Sequence, residues 1–506
     1  MKNKYILLLL TMASLFACGE VASSSVKPTT STTTTSTRPI ATSVDYDKVE
    51  TKIEDFMFEE TINGYFITRY TYKAKSTTRV VIPDTYLDKP IIGIKDGAFV
   101  YASGVEKVYI SKNITTIEAG AFVNCNSIKS LEVSSENQYF SAKDGSLYSK
   151  SMDTFIFCPE AITSIIIPSS VKHLADRAFY RSSIKEIVLQ DGLKTIGTEC
   201  FSKTKQLTDL IMPDTVTSIG ESVFIYAAKI KNVKLSASLT TLPKLTFSLC
   251  PLIKEITVPG NIKVVDEQAI TDNDYLEKVT FENGVESIGE WSVIRNTFLK
   301  EVVLPTTLKT IAANAFNSND HLTTVTLPEG LTSIGDNAFA LCPTLPSINI
   351  PSTVSTIGQG FVAYNKKLAT IDVAADNKYF KDDDGVLLSK DGTRLLSYPA
   401  NRSGYSYNIP NTVNSIDREA ITYCVRLGYK EEAEGIEGKL VLPASVKNIG
   451  ANAFAYSSAL TEIYYEGSSS DFENVTTYEL IEAEAISAFA NSSVKKIICS
   501  DKVVTL

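Results

Sequence analysis

LKEVVLPTTLKTIAANAFNSNDH at residues 299–321 is followed directly by LTTVTLPEGLTSIGDNAFALCPT at 322–344. Both stretches carry L-x-x-V-x-L-P, then L-x-x-I, then N-A-F, at a period of 23 residues. Working outward, the aromatic slot holds Phe201, Phe224, Phe247, Ile270, Val293, Phe316 and Phe339, each 23 residues after the last. Phe99, Phe122, Phe179, Phe361, Ile421, Phe454 and Phe489 extend the series to 14 units. One such unit cannot bury its own apolar face, whereas stacked neighbours can, so a fixed period means a repeat array. In L-x-x-I-x-L the fourth and sixth residues point inward and the third and fifth outward, because side chains alternate along a strand. Each unit is therefore expected to give one short strand to a parallel sheet on the concave face. Fourteen strands at about 4.8 Å spacing make a solenoid on the order of 65 Å long.

The full consensus, L-x-x-I-x-L-P followed by L-x-x-I-G-x-x-A-F, resembles the BspA-type leucine-rich repeat family of bacterial surface proteins over roughly residues 80 to 500. The 23-residue period also lies within the leucine-rich-repeat range. The resemblance implies a β-rich leucine-rich repeat solenoid and an extracellular location. Some family members resemble adhesins that bind matrix proteins or other cells, and many have no known ligand.

Two spacings break the period: Phe122 to Phe179 is 57 and Phe361 to Ile421 is 60 residues. The extra segments repeat each other at an offset of 240, with Tyr139, Phe140, Asp144, Gly145, Leu147 and Pro159 answered by Tyr379, Phe380, Asp384, Gly385, Leu387 and Pro399. Each predicts an inserted β-hairpin, at 136–159 and 376–399, with Asp391-Gly392 as a turn signal in the second. Later units carry an insertion from Gly428 to Gly438 and another ending at Glu479 to Glu484. The expected organisation is a signal peptide (1–17), a tether (18–44), an N-terminal cap (45–82), the solenoid (83–465), and a degenerate last repeat with C-terminal cap (466–506).

The first 17 residues place Lys2 and Lys4 before an apolar run from Tyr5 to Ala17, too short to span a bilayer and suited to a secretory signal. The run ends Leu15, Phe16, Ala17, Cys18, Gly19, which resembles a bacterial lipobox. That resemblance implies acylation at Cys18 and a membrane anchor facing outward. From Ala22 to Val44, 14 of 23 residues are Ser or Thr, a composition that cannot offset its own ordering entropy and reads as a tether.

Without the first 17 residues, 47 basic residues stand against 58 acidic, a charge of −11, so nucleic acid is not an expected partner. Only His173 and His321 are present, too few for most His-based zinc sites or triads, and no enzyme, metal or cofactor is expected. Asp382, Asp383, Asp384 and Gly385 resemble a calcium-loop fragment but fail the EF-hand frame and read as a charged hairpin turn. Cys125, Cys250, Cys342 and Cys424 share one turn column with Asn273, Asn296, Asn319 and Asn365. They are expected as buried free thiols, because Cys250 and Cys342 lie four units, about 19 Å, apart. Trp291 stands where other units have Asn, in a unit whose aromatic slot has shrunk to Val293. Its ring either fills that room or faces solvent.

The fifth strand position holds Ile166, Val188 and Ile211 in three consecutive units, a predicted outward aliphatic stripe flanked by Glu186 and Asp209. The first hairpin folds over it, or the run reflects simple β-propensity, or it is a partner site. The expected function is a lipid-anchored surface protein that binds another protein or adheres to cells. The alternative is a structural spacer or envelope scaffold without a specific ligand.

Overall fold

In the computed structural model, residues 51–71, 78–100, 102, 104–481 and 484–506 are described. The signal, tether and Cys18 assignments lie outside them. The chain forms a β-solenoid of about 17 turns with parallel strands and little helix, against the 14 units counted from the aromatic slot.

The L-x-x-I-x-L strands stack in register: Glu255–Val258 pairs Lys278–Phe281, which pairs Glu301–Val303. Burial follows the expected alternation, with Ile256 and Val258 buried and Glu255 and Thr257 exposed. A second ladder, absent from the one-strand-per-unit expectation, comes from the short L-x-x-I segments. Val264–Val265, Ser287–Ile288, Thr310–Ile311 and Ser333–Ile334 pair successively in parallel. A third, Phe247–Ser248, Ile270–Thr271 and Val293–Ile294, forms at the aromatic slot. Two of its three members carry β-branched residues, which suit extended backbone. Two-residue strands are too short to announce themselves by alternation, which is why sequence reading missed them.

The turn column is a hydrogen-bond ladder. Asn273, Asn296 and Asn319 donate Nδ2–H to the carbonyls of Phe247, Ile270 and Val293 in the preceding unit at 2.9, 3.1 and 2.8 Å. Their Oδ1 atoms accept the backbone N–H of Cys250, Asn273 and Asn296 at 2.9, 3.1 and 3.0 Å. Cys125, Cys250 and Cys342 point Sγ at the same carbonyl, of Phe99, Phe224 and Phe316. All seven described cysteines are buried and free. Burial pushes the thiols of Cys125, Cys250, Cys342 and Cys424 up to about 12, so they act as weak donors and not as nucleophiles.

Each insertion is a hairpin whose turn and third strand join different ladders. Phe140–Lys143 and Ser146–Ser149 pair antiparallel, and Thr154–Phe157 continues antiparallel before joining His173–Leu174 in parallel. At the other side the turn carbonyl of Gly145 accepts Leu131 N–H at 2.8 Å. The second insertion repeats this with Phe380–Asp383, Val386–Ser389 and Arg394–Ser397, and Gly385 accepts Ile371 N–H at 3.0 Å. Neighbouring residues of the middle strand face opposite sides. Leu147 therefore packs in the N-terminal core and Tyr148 in the central one, while Leu387 packs in the central core and Val386 and Leu388 in the C-terminal one. The insertions thus act as septa that divide the apolar interior into three clusters. At the first and last turns an antiparallel strand closes the stack: Phe56–Thr61 on Gly64–Tyr70 and Val503–Thr505 on Lys496–Ile498.

Candidate interaction surfaces

Ile166, Val188 and Ile211 stand on the solvent face of their strands, 65%, 50% and 66% exposed. Ile166 and Val188 are register partners, and the inward neighbours Ile165 and Ile187 pack against the central core. Ile211 pairs with Lys234 on the next strand, while strands Glu186–Val188 and Asp209–Ile211 lie in separate two-stranded sheets. Exposure of all three side chains eliminates cover by the first hairpin. That hairpin extends the second ladder and meets the first beside Ser130–Val133, where Gly145 accepts Leu131 N–H.

The flanking acids differ. Glu186 is exposed. The Asp209 carboxylate accepts hydrogen bonds from Asn232 and Thr208 at 2.6 Å each, which hold it below the usual carboxylate range and keep it ionised. The stripe is bounded at its far end by Lys234, exposed in the same column.

Elsewhere, acidic clusters satisfy themselves. Asp382 accepts Val373 N–H, Asp383 accepts the Tyr407 hydroxyl at 2.8 Å, and Asp384 pairs with Arg402, so the Asp-rich hairpin turn is internally committed. Among the described residues no group of three or more His, Cys, Asp or Glu side chains is placed to hold a metal ion. A polar cleft of about 210 Å³ beside Gln359, Asp417, Arg418, Thr476, Tyr478 and Glu479 is also largely tied up. Asp417 takes both Arg394 nitrogens at 2.5 and 2.7 Å, and Arg418 reaches Asp336 at 3.1 Å.

Trp291 is half-buried with φ 55°, in the left-handed conformation that Asn314 and Asn337 adopt at the same slot. Val293 beside it is fully buried. The Trp291 ring is thus neither fully packed nor fully exposed. Sequence reading also passed over Tyr275 and Phe298. Their 23-residue spacing with His321 was a signal visible in the repeat alignment.

The BspA type leucine rich repeat region matches this chain in six copies, over residues 65–149, 150–277, 271–383 and 400–506. The chain belongs to the BspA-type leucine-rich repeat family. No curated protein matches it significantly. Among solved structures it is similar to a leucine-rich repeat protein from Eubacterium ventriosum at 25% identity, covering 54% of this chain and 78% of that one, with TM-score 0.40. A leucine rich cell surface protein from Faecalibacterium prausnitzii matches at 22% identity over 85% and 98% of the two chains, TM-score 0.43. A leucine-rich repeat protein from Bacteroides ovatus matches at 20% identity over 85% and 99%, TM-score 0.47.

Proposed function

We propose that this chain is a surface protein, anchored through a lipid on Cys18, whose solenoid binds another protein through Ile166, Val188 and Ile211. Membership of the BspA-type family supports the extracytoplasmic location. The observation that carries the binding reading is the exposed aliphatic run in a strand column that elsewhere is mostly polar, as at Lys234, Thr257, Asn349 and Asp372. A soluble surface usually covers or uses such a run, and here nothing among the described residues covers it. Glu186 and Asp209 beside it would set orientation more than affinity. No catalytic role is part of this reading.

The double variant Val188→Asp with Ile211→Asp, assayed for attachment to whole cells and matrix proteins, tests the site. Lost attachment at an unchanged melting temperature supports it, and unchanged attachment removes it in favour of a spacer. The anchor is tested separately by Cys18→Ala, which should move the protein from the membrane fraction to the medium or leave it uncleaved.

A further inference from the structure

Tyr275, Phe298 and His321 occupy one turn slot in three consecutive units, two residues after the buried Asn273, Asn296 and Asn319. Their rings stack in file: Tyr275 on Phe298 with centroids 6.2 Å apart and planes 14° from parallel, Phe298 on His321 at 5.0 Å and 25°. Tyr275 is 55% and Phe298 42% exposed, and His321 is exposed. The asparagine ladder fixes the backbone beneath them, so the stack is a rigid feature. His321 Nδ1–H donates to the Thr297 carbonyl at 2.7 Å, which fixes the orientation of the ring.

Among the described residues some rings carry a cation of this chain, and others, such as the exposed Tyr139 and Tyr379, do not. Nine other rings have a Lys or Arg of this chain over them, as where Lys203 lies 5.4 Å from the Tyr180 centroid and 5.5 Å from that of Tyr226. No cation of the described residues covers Tyr275, Phe298 or His321. The same slot varies in other units, holding Gln206, Lys229, Leu252, Thr344 and Lys367, and only these three consecutive units fill it with rings. Next to the end rings stand Asp274 and Asp320, both exposed and both without an ion pair among the described residues. In contrast, the neighbouring acids Asp272, Glu277 and Glu301 are paired with Arg295, Lys300 and Lys278.

We propose that this stack is a recognition surface for an arginine-bearing segment of a partner protein. Stacking leaves the middle ring covered on both faces and the end rings with one face each free of another ring. A planar guanidinium lies flat on an aromatic face and reaches a carboxylate with its remaining N–H groups, which an ammonium does less well. Tyr275 with Asp274 and His321 with Asp320 each offer that combination, so two arginines are the natural complement. The surface is separate from the aliphatic stripe and does not depend on it.

The test is calorimetric titration of the full chain in 0.15 M salt with a synthetic peptide alternating Gly and Arg, beside matched peptides carrying Lys or neutral citrulline. Binding of the Arg peptide is expected to exceed that of the Lys peptide, with none for citrulline. Tyr275→Ser with His321→Ser should weaken the Arg peptide at least tenfold with unchanged melting. Asp274→Asn with Asp320→Asn, which alters no ring, should weaken it severalfold, and Val188→Asp with Ile211→Asp should leave it as in the parent. Absence of binding by the parent, equal binding of the citrulline or Lys peptide, or equal binding by the ring variant overturns the proposal.

Discussion

The two insertions share a backbone and differ in what fills it. In both, a buried asparagine makes the same four hydrogen bonds. Asn137 donates to the Ser111 and Ile114 carbonyls at 2.8 and 2.9 Å and accepts from the N–H of Tyr139 and Phe140 at 2.8 Å. Asn377 donates to Pro351 and Val354 at 2.8 and 3.0 Å and accepts from Tyr379 and Phe380 at 2.8 Å. Both turns are Asp-Gly with positive φ at each residue, 52° and 78° at Asp144-Gly145, 50° and 81° at Asp384-Gly385, the pairing a two-residue hairpin loop demands. Around that frame the chemistry diverges. In the second insertion Arg402 pairs with Asp384 and lies 5.8 and 5.2 Å from the Tyr398 and Tyr407 ring centroids. At the matching positions, 240 residues earlier, the first has Ile162, Cys158 and Ile167. The frame is thus set by backbone partners and the filling is interchangeable.

If that is right, the asparagines should matter most and equally. Asn137→Ala and Asn377→Ala each strand buried carbonyls and N–H groups, and each should cost about 3 kcal/mol at its own insertion. Local hydrogen exchange reads this better than a global melt, because a solenoid with a divided core opens in parts. Costs differing by more than about 1 kcal/mol between the two would break the equivalence.

The filling should matter less. Arg402→Ile, which gives the second insertion the first one's residue, is expected to cost about 1 kcal/mol. Asp384 is exposed, so the ion pair is screened and most of the loss should come from stacking on the two tyrosines. The loss should therefore persist in 1 M salt. A loss that vanishes there would assign the role to the ion pair instead.

A pH effect should separate the two regions further. After the second insertion Glu419 is partly buried, accepting the Tyr364 hydroxyl at 2.9 Å, and desolvation holds its carboxyl above the usual range. After the first, the same slot holds Arg177. A carboxyl whose folded pKa lies above its unfolded value takes up a proton on folding, so its contribution is present at low pH and is lost as pH rises through the folded value. Amides around 419–424 should be better protected at pH 5 than at pH 7, those around 177–182 should not, and Glu419→Gln should abolish the difference.

What was legible in the chain follows the same division. The 23-residue period and the inward pair of each main strand were readable because apolar alternation is a local property. The asparagine and cysteine column was readable because one side-chain class recurred at a fixed offset. The septa were half legible: the duplicated segments announced hairpins, but that Leu147 and Tyr148 face different cores depends on what packs on either side. Asn137 and Asn377 were not singled out, since an asparagine before a turn looks like any other until its two distant carbonyls are in place. The stripe was legible as a column, and its freedom from the hairpin was not.

The smallest effect concerns the tyrosines that both insertions retain. Tyr139 and Tyr379 are 53% and 52% exposed, so little apolar burial explains their presence in both copies. Their backbone is already held from two sides: the asparagine accepts the N–H, and each carbonyl accepts from Lys150 at 2.7 Å or Lys390 at 2.8 Å. A side chain that neither packs deeply nor positions its backbone should be replaceable at the cost of an ordinary surface substitution. Tyr139→Ser and Tyr379→Ser are therefore each expected to change stability by less than about 0.5 kcal/mol, measured by urea denaturation with hydrogen exchange at the hairpin. A cost above about 1 kcal/mol at both would mean that the ring shields the asparagine's hydrogen bonds from water and belongs to the frame. A cost at one insertion only would place it with the filling, where the two copies are free to differ.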